Sequence, residues 1–334
     1  MNLLETLPTM IGTAAVAPAL LVLWLVVAAD EHPVPPLRVW AAFLLGVASI
    51  SALGLARAPF AALVALQEPP WLAVPMQALF GIAAPEELVK IAVIFLVSAR
   101  RVLHTDPMDA AVYGAAAGLG FAAYENLVYL NQFPEIWQSL ALVRSVLTVP
   151  FHGALGVIAG CYIAIARAGG ALGAHAGGHS HARWRAWLLI PLAPLTLHAA
   201  FDLPLLLLKQ HPEYDNGSSF ALEATSMVVG FGTIFLAARL VRRIGRHHAP
   251  RTASSRAKLQ YLRGLWALMV FGGGASFAGA AFLLSNVREF IGNPDRNMKL
   301  VTIPIGTVSI LLGLALLALA GTSYVQGRNR LRRA

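Results

Sequence analysis

Apolar residues run through this chain in long blocks, broken by short stretches rich in charge, proline or glycine. Marked off by those interruptions, nine blocks reach spanning length, at about 9–29, 38–57, 72–98, 108–130, 136–166, 184–208, 219–238, 264–285 and 301–322. A helix needs roughly 20 predominantly apolar residues to cross a bilayer. The pattern therefore predicts an all-α, polytopic transmembrane bundle of about nine spans. The blocks at 72–98 and 136–166 are longer than a bilayer requires, so tilt, kinks or protrusion must absorb the excess. Val27-Ala28-Ala29 resembles a signal-peptide cleavage site, but Glu5 and no Lys or Arg precede the first block. Without a positive n-region, that block is expected to be a retained span.

Composition supports the same solvent. Hydrophobic residues make up 57% of the 334 residues and charged ones 12%, with a mean hydropathy of +0.67. Soluble domains carry about 25% charged residues, and this chain could not hide so much apolar surface from water. Basic residues then set orientation. Of the 25 Lys and Arg, 18 flank one side: Arg38, Arg100, Arg101, Arg167, Arg183, Arg185, eight within 239–263, and Arg328, Arg330, Arg332 and Arg333. Five flank the other: Arg57, Lys209, Arg288, Arg296 and Lys299. The richer side is expected to be cytoplasmic, giving an N-out, C-in chain in the inner (cytoplasmic) cell membrane. The net charge of +9 is mostly this bias, and nucleic-acid binding is not expected. Cys161, the one cysteine, excludes an intrachain disulfide and sits in an apolar run as a packing residue. Three regions follow: spans one and two (1–69), a four-span core (70–208), and spans seven to nine (209–334) with a basic cytoplasmic loop at 239–263.

Ionisable groups inside a span cost several kcal/mol unless paired or hydrated, so each is a functional candidate. Span three contains Pro85-Glu86-Glu87-Leu88-Val89-Lys90, and span four Tyr124-Glu125-Asn126. Span five contains Arg144 and Pro150-Phe151-His152, and span six His198-Ala199-Ala200-Phe201-Asp202. Four consecutive spans thus carry polar residues at membrane depth. Lys90 is spaced i+4 from Glu86 and i+3 from Glu87, within reach of either carboxylate. Asp202 is i+4 from His198 and suited to orient its imidazole. Adjacent Glu86 and Glu87 point about 100° apart on a helix and are expected to have different jobs. Pro85 and Pro150 disturb their helices beside Glu86 and His152, and Gly114, Gly118 and Gly120 allow close helix approach. Structural ion pairs would account for any one of these pairs; four carboxylates and two histidines together exceed the available cations. His175, His179 and His181 fall in a Gly/Ala-rich stretch read as a plain cytoplasmic loop.

The order Glu86-Glu87-x-x-Lys90, Asp109-x-x-x-Tyr113-Gly114, Gly120-Phe121-Ala122-x-x-Glu125-Asn126, Pro150-x-His152, and His198-x-x-x-Asp202 resembles the PrsW family of bacterial membrane proteases. That family is related to the CAAX-prenyl-protease and bacteriocin-immunity superfamily. The resemblance covers about 70–208. It implies cleavage of a membrane-anchored, single-pass protein, such as an anti-sigma factor in an envelope stress response.

Peptide hydrolysis needs an activated water and a stabilised oxyanion. In a glutamic mechanism Glu86 deprotonates water, while His152, His198 and Asn126 donate to the oxyanion. In a metal-assisted alternative Glu125, His152 and His198 hold a divalent ion such as zinc, with Glu86 or Glu87 as base. No His-Glu-x-x-His motif demands zinc, and the sequence preference is for the glutamic form. Serine chemistry lacks Gly-x-Ser-x-Gly, and aspartyl chemistry lacks paired aspartates in the spans. The residues singled out are Glu86, Glu87, Lys90, Glu125, Asn126, His152, His198 and Asp202. An ion- or proton-coupled transporter also places such groups at mid-membrane, but it usually shows internal repeats, and none is evident here. A non-catalytic membrane partner is expected to lack some motif residues, and all are present.

Overall fold

Helices begin where apolar blocks meet start signals. The computed structural model describes residues 3–30, 34–65, 69–98, 108–168 and 179–248. Among them every regular element is helical. The order is α1 (Leu3–Ala29), α2 (Pro36–Ser49), the short α3 (Leu53–Arg57) and α4 (Ala61–Val64), α5 (Pro70–Met76), α6 (Ala84–Ser98), α7 (Met108–Gln132), α8 (Trp137–Val143), α9 (Val149–Ala168), α10 (His179–Gln210) and α11 (Asn216–His248). Pro36 and Pro70 open α2 and α5, where a missing N–H leaves no helical bond unmade.

Among the described residues, five helical runs are long and apolar enough to cross a membrane: Met10–Ala28, Pro36–Val64, Trp137–Arg167, Trp184–Gln210 and Gly217–Ile244. The expected spans at 264–285 and 301–322 lie outside the described residues. Spans three and four are present as the run Pro70–Ser98, which carries Glu86, Glu87 and Lys90, and as α7, which carries Asp109, Glu125 and Asn126; neither is among the five. Two expected loops begin or end as helix. α11 runs on to His248 through the first residues of the basic 239–263 stretch, where Arg and Leu are good helix formers. Of the His-rich stretch, residues from His179 onward are the start of α10, while His175 lies outside the described residues.

Span three and span five are interrupted in the same way. Each contains a π-helical turn, Gln77–Ala83 and Arg144–Thr148, that ends two residues before a proline. Proline cannot donate to the carbonyl four residues back, and its ring crowds that carbonyl. A widened i→i+5 turn relieves the conflict without breaking the helix. Glu86 follows Pro85 by one residue and His152 follows Pro150 by two, so both emerge on the regular helix just past the irregularity.

α7 and α9 are the central pair. Every residue from Asp109 to Ala123 is buried, and 83% of the most apolar window in Trp137–Arg167 is buried, against 22–28% in the other four runs. A helix covered on all sides belongs inside a bundle. Small residues make the contact possible, since lipid supplies no hydrophobic drive between helices. A Cβ on Gly118 would collide with the carbonyl of His152, and Gly114 and Gly156 face each other's backbone carbonyls. α2 and α1 cover one side of α7 through Phe43, Ala42, Ala19 and Leu23. α6 and α10 meet α7 and α9 around Ile94, Ala117, Ile163 and Ile190. α11 packs on α9 and α10, and Ser226 Oγ donates to the Phe201 carbonyl at 2.8 Å. All of this lies within one compact unit, Met1–Arg251.

Candidate active site

The first turn of α6 carries Glu86 and Glu87 into the bundle, both buried, with Lys90 one turn on and 1% exposed. The two glutamates are placed differently. Glu87 Oε1 accepts from Lys90 Nζ at 2.7 Å and from His198 Nδ1 at 2.7 Å. Glu86 Oε2 lies 3.9 Å from both Lys90 Nζ and His198 Nε2, and no hydrogen bond reaches it. Each glutamate keeps one buried oxygen without a hydrogen bond, Glu86 Oε2 and Glu87 Oε2, but Glu87 is tied down through Oε1.

His198, on α10, has Nδ1–H held by Glu87, which leaves the Nε2 side facing Glu86 and, at 3.3 Å, Asp202 Oδ2. An Nε2 lone pair pointed at two carboxylates is stable only with a positive charge between them, either a proton or a bound cation. His152, on α9, sits opposite, its ring centroid 5.1 Å from that of His198. Its Nδ1 is 3.0 Å from Lys90 Nζ and its Nε2 is 3.0 Å from Glu125 Oε2. Lys90 also lies over the Phe121 ring, 4.1 Å from its centroid.

Glu125 and Asn126, on α7, are held by a residue that spacing did not bring forward. Arg144 donates from Nη2 to Glu125 Oε2 at 2.7 Å and from Nε to Asn126 Oδ1 at 2.6 Å. Its one signal in the sequence was an unexplained charge inside span five. The structure thus brings all eight singled-out residues into one continuous network across α6, α7, α9 and α10, with Arg144 as a ninth member.

The metal-assisted alternative named Glu125, His152 and His198 as ligands. The three donors that converge are instead Glu86, His152 and His198, whose ligand atoms all lie within 4.8 Å of one another. Glu125 is drawn to Arg144, which explains the exchange of one glutamate for the other. These residues fit a divalent cation on two further grounds. Glu86 Oε2 is a buried carboxylate oxygen with no hydrogen-bond donor. Within the network four carboxylates, Glu86, Glu87, Glu125 and Asp202, face two permanent cations, Lys90 and Arg144, and the deficit of two charges is what such an ion supplies. Two histidines and a glutamate are a familiar catalytic zinc set.

Comparison with known proteins points the same way. Residues 34–236 match the model of the PrsW family, described as intramembrane metalloproteases. The chain is 34% identical over 94 residues to the protease PrsW of Bacillus subtilis, covering 28% of this chain and 38% of that protein. It is 29% identical over 206 residues to the protease PrsW of Geobacillus kaustophilus, covering 61% of this chain and 83% of that protein. No solved structure matches the chain. Since the family model spans well over half of its length, this multi-pass membrane protein belongs to the PrsW family of intramembrane metalloproteases.

Proposed function

We propose that this chain is a peptidase of the cytoplasmic membrane that cuts a single-pass, membrane-anchored protein, such as an anti-sigma factor, at or just beyond the external end of its span. The observation that carries the chemistry is the convergence of Glu86, His152 and His198 around an unsatisfied buried oxygen. It favours the metal-assisted form over glutamate acting alone. These three residues would hold the ion. A divalent ion so held lowers the pKa of bound water and polarises the scissile carbonyl.

The remaining residues prepare that set. Glu87 fixes the His198 tautomer by accepting from Nδ1, the usual duty of a carboxylate behind a metal-binding imidazole. Lys90 balances Glu87, and its ammonium, 3.0 Å from His152 Nδ1, would give up that nitrogen to the ion. Glu125 and Asp202 are the carboxylates whose side chains are partly exposed, at 18% each. They face the edge of the site and orient the two imidazoles, Glu125 at His152 Nε2 and Asp202 at His198 Nε2.

The site of the cut follows from topology. With nine spans and the N-terminus outside, α7 runs outward, and Glu125 lies about 26 Å beyond Met108 at 1.5 Å per residue. The reacting groups then sit toward the external side, and water reaches them past the turn after Gln132. Mapping the product termini of a single-pass reporter by mass spectrometry tests this. A cut on the cytoplasmic side would refute the topology or the site. Cysteine labelling at Asp215 and at Arg243 should report opposite faces of the membrane.

A further inference from the structure

We propose that Arg144 is a positioning residue for the reaction, acting through Glu125 on His152; this rests on the proposed function above. Arg144 is the first residue of the π turn Arg144–Thr148, eight residues before His152. On an uninterrupted α-helix that separation places two side chains about 80° apart. The π turn absorbs about one residue's rotation, so the pair behaves as if seven residues apart, about 20° from a common face. Both side chains therefore meet Glu125, and the helix irregularity has a use.

Arg144 is suited to hold rather than merely neutralise. Its side chain is 9% exposed, and its guanidinium carbon lies 4.2 Å from the Tyr129 ring centroid. The fork reaches Glu125 Oε2 at 2.7 Å and Asn126 Oδ1 at 2.6 Å together, a geometry a lysine ammonium cannot reproduce. Asn126 is anchored in turn, its Nδ2 donating to the Ala15 carbonyl of α1 at 3.4 Å. The same Glu125 Oε2 lies 3.0 Å from His152 Nε2. Each histidine of the proposed metal set thus has a carboxylate behind it, Glu87 for His198 and Glu125 for His152. Glu125 is itself held by Arg144.

The test uses the full chain in proteoliposomes, with zinc alone as the ligand in a chelator-competition titration and a single-pass reporter for cleavage. Arg144→Met should weaken zinc binding about 10–100-fold and lower kcat with KM little changed. Arg144→Lys, which keeps the charge and should fold, should recover only a small part of both. Glu125→Gln combined with Arg144→Met removes both charges and should be no worse than Glu125→Gln alone, because one residue acts through the other. Multiplied losses in the double variant, wild-type behaviour of Arg144→Lys, or unchanged zinc affinity in Arg144→Met and Arg144→Lys would overturn the proposal. A wild-type chain that neither binds zinc nor cleaves would overturn the proposed function itself.

Discussion

Glu86→Gln separates chemistry from folding more cleanly than any other change in the site. The substitution keeps the side chain's shape and removes one negative charge. Its nearest opposite charges are 3.9 Å away and no hydrogen bond is lost at Oε2. At an effective dielectric of about 20, a contact at that distance contributes about 4 kcal/mol. Burial of an ionised carboxylate costs several kcal/mol. Two such attractions are opposed by burial and by repulsion from Glu125 and Asp202, so the thermal midpoint should move by no more than a few degrees. Activity should respond quite differently. A glutamine amide is a poor ligand and no base, and cleavage is expected to fall at least about a thousand-fold, or about 4 kcal/mol at 1.36 kcal/mol per decade. The assay pairs reporter cleavage in proteoliposomes with zinc titration and thermal unfolding of the same preparation. Cleavage within a few-fold of wild type would refute Glu86 as the centre of the chemistry, and a collapse of stability would refute its reading as an uncommitted charge.

Asp202→Asn should leave a folded enzyme with activity reduced about 10–100-fold, measured as kcat, because Asp202 helps to orient the His198 ring from 3.3 Å beside Nε2. Gly118→Leu drives a side chain into the His152 carbonyl and should cost more than the roughly 1–3 kcal/mol of ordinary overpacking, read as a loss of folded protein after detergent extraction. Asp215 lies outside the spans and caps α11, accepting from the Ser218 N–H at 2.9 Å, which holds its carboxyl below the ordinary range. A lowered folded-state pKa stabilises the helix start fully above about pH 4 and progressively less as pH falls through the folded value. Asp215→Asn should flatten that acid dependence when α11 fraying is followed by hydrogen exchange.

Much of the candidate site was legible because membrane depth makes polar residues conspicuous. Glu86, Glu87, Lys90, Glu125, His152, His198 and Asp202 stand out as charges or imidazoles in apolar runs, and helical spacing put Lys90 within reach of both glutamates and His198 beside Asp202, where the structure has them. The pairing of Glu125 was not legible. Its partner Arg144 is 19 residues away, and the face Arg144 presents depends on a π turn. Pro150 announces that the regular helix cannot continue undisturbed. It does not announce that the chain will widen rather than kink. The exchange of Glu125 for Glu86 among the converging donors follows from that one turn. The length of α11 was missed for a simpler reason: hydropathy marks where apolar blocks end, and helices made of Arg and Leu do not end there.

The burial of α7 bears on how the protein is made. On insertion scales a central Asp costs about +2.5 to +3.5 kcal/mol, and Leu or Ile returns only about 0.3–0.6. α7 carries Asp109, Glu125, Asn126 and Asn131 among alanines and glycines, and it falls short of the hydropathy of a span. Leaving the translocon for lipid alone is therefore unfavourable for it. It is expected to stay until α9, with its matching glycine face, emerges and the two leave together. Glycosylation mapping should show α7 passing into the lumen when expressed alone and stopping in the membrane once the chain extends through Ala168.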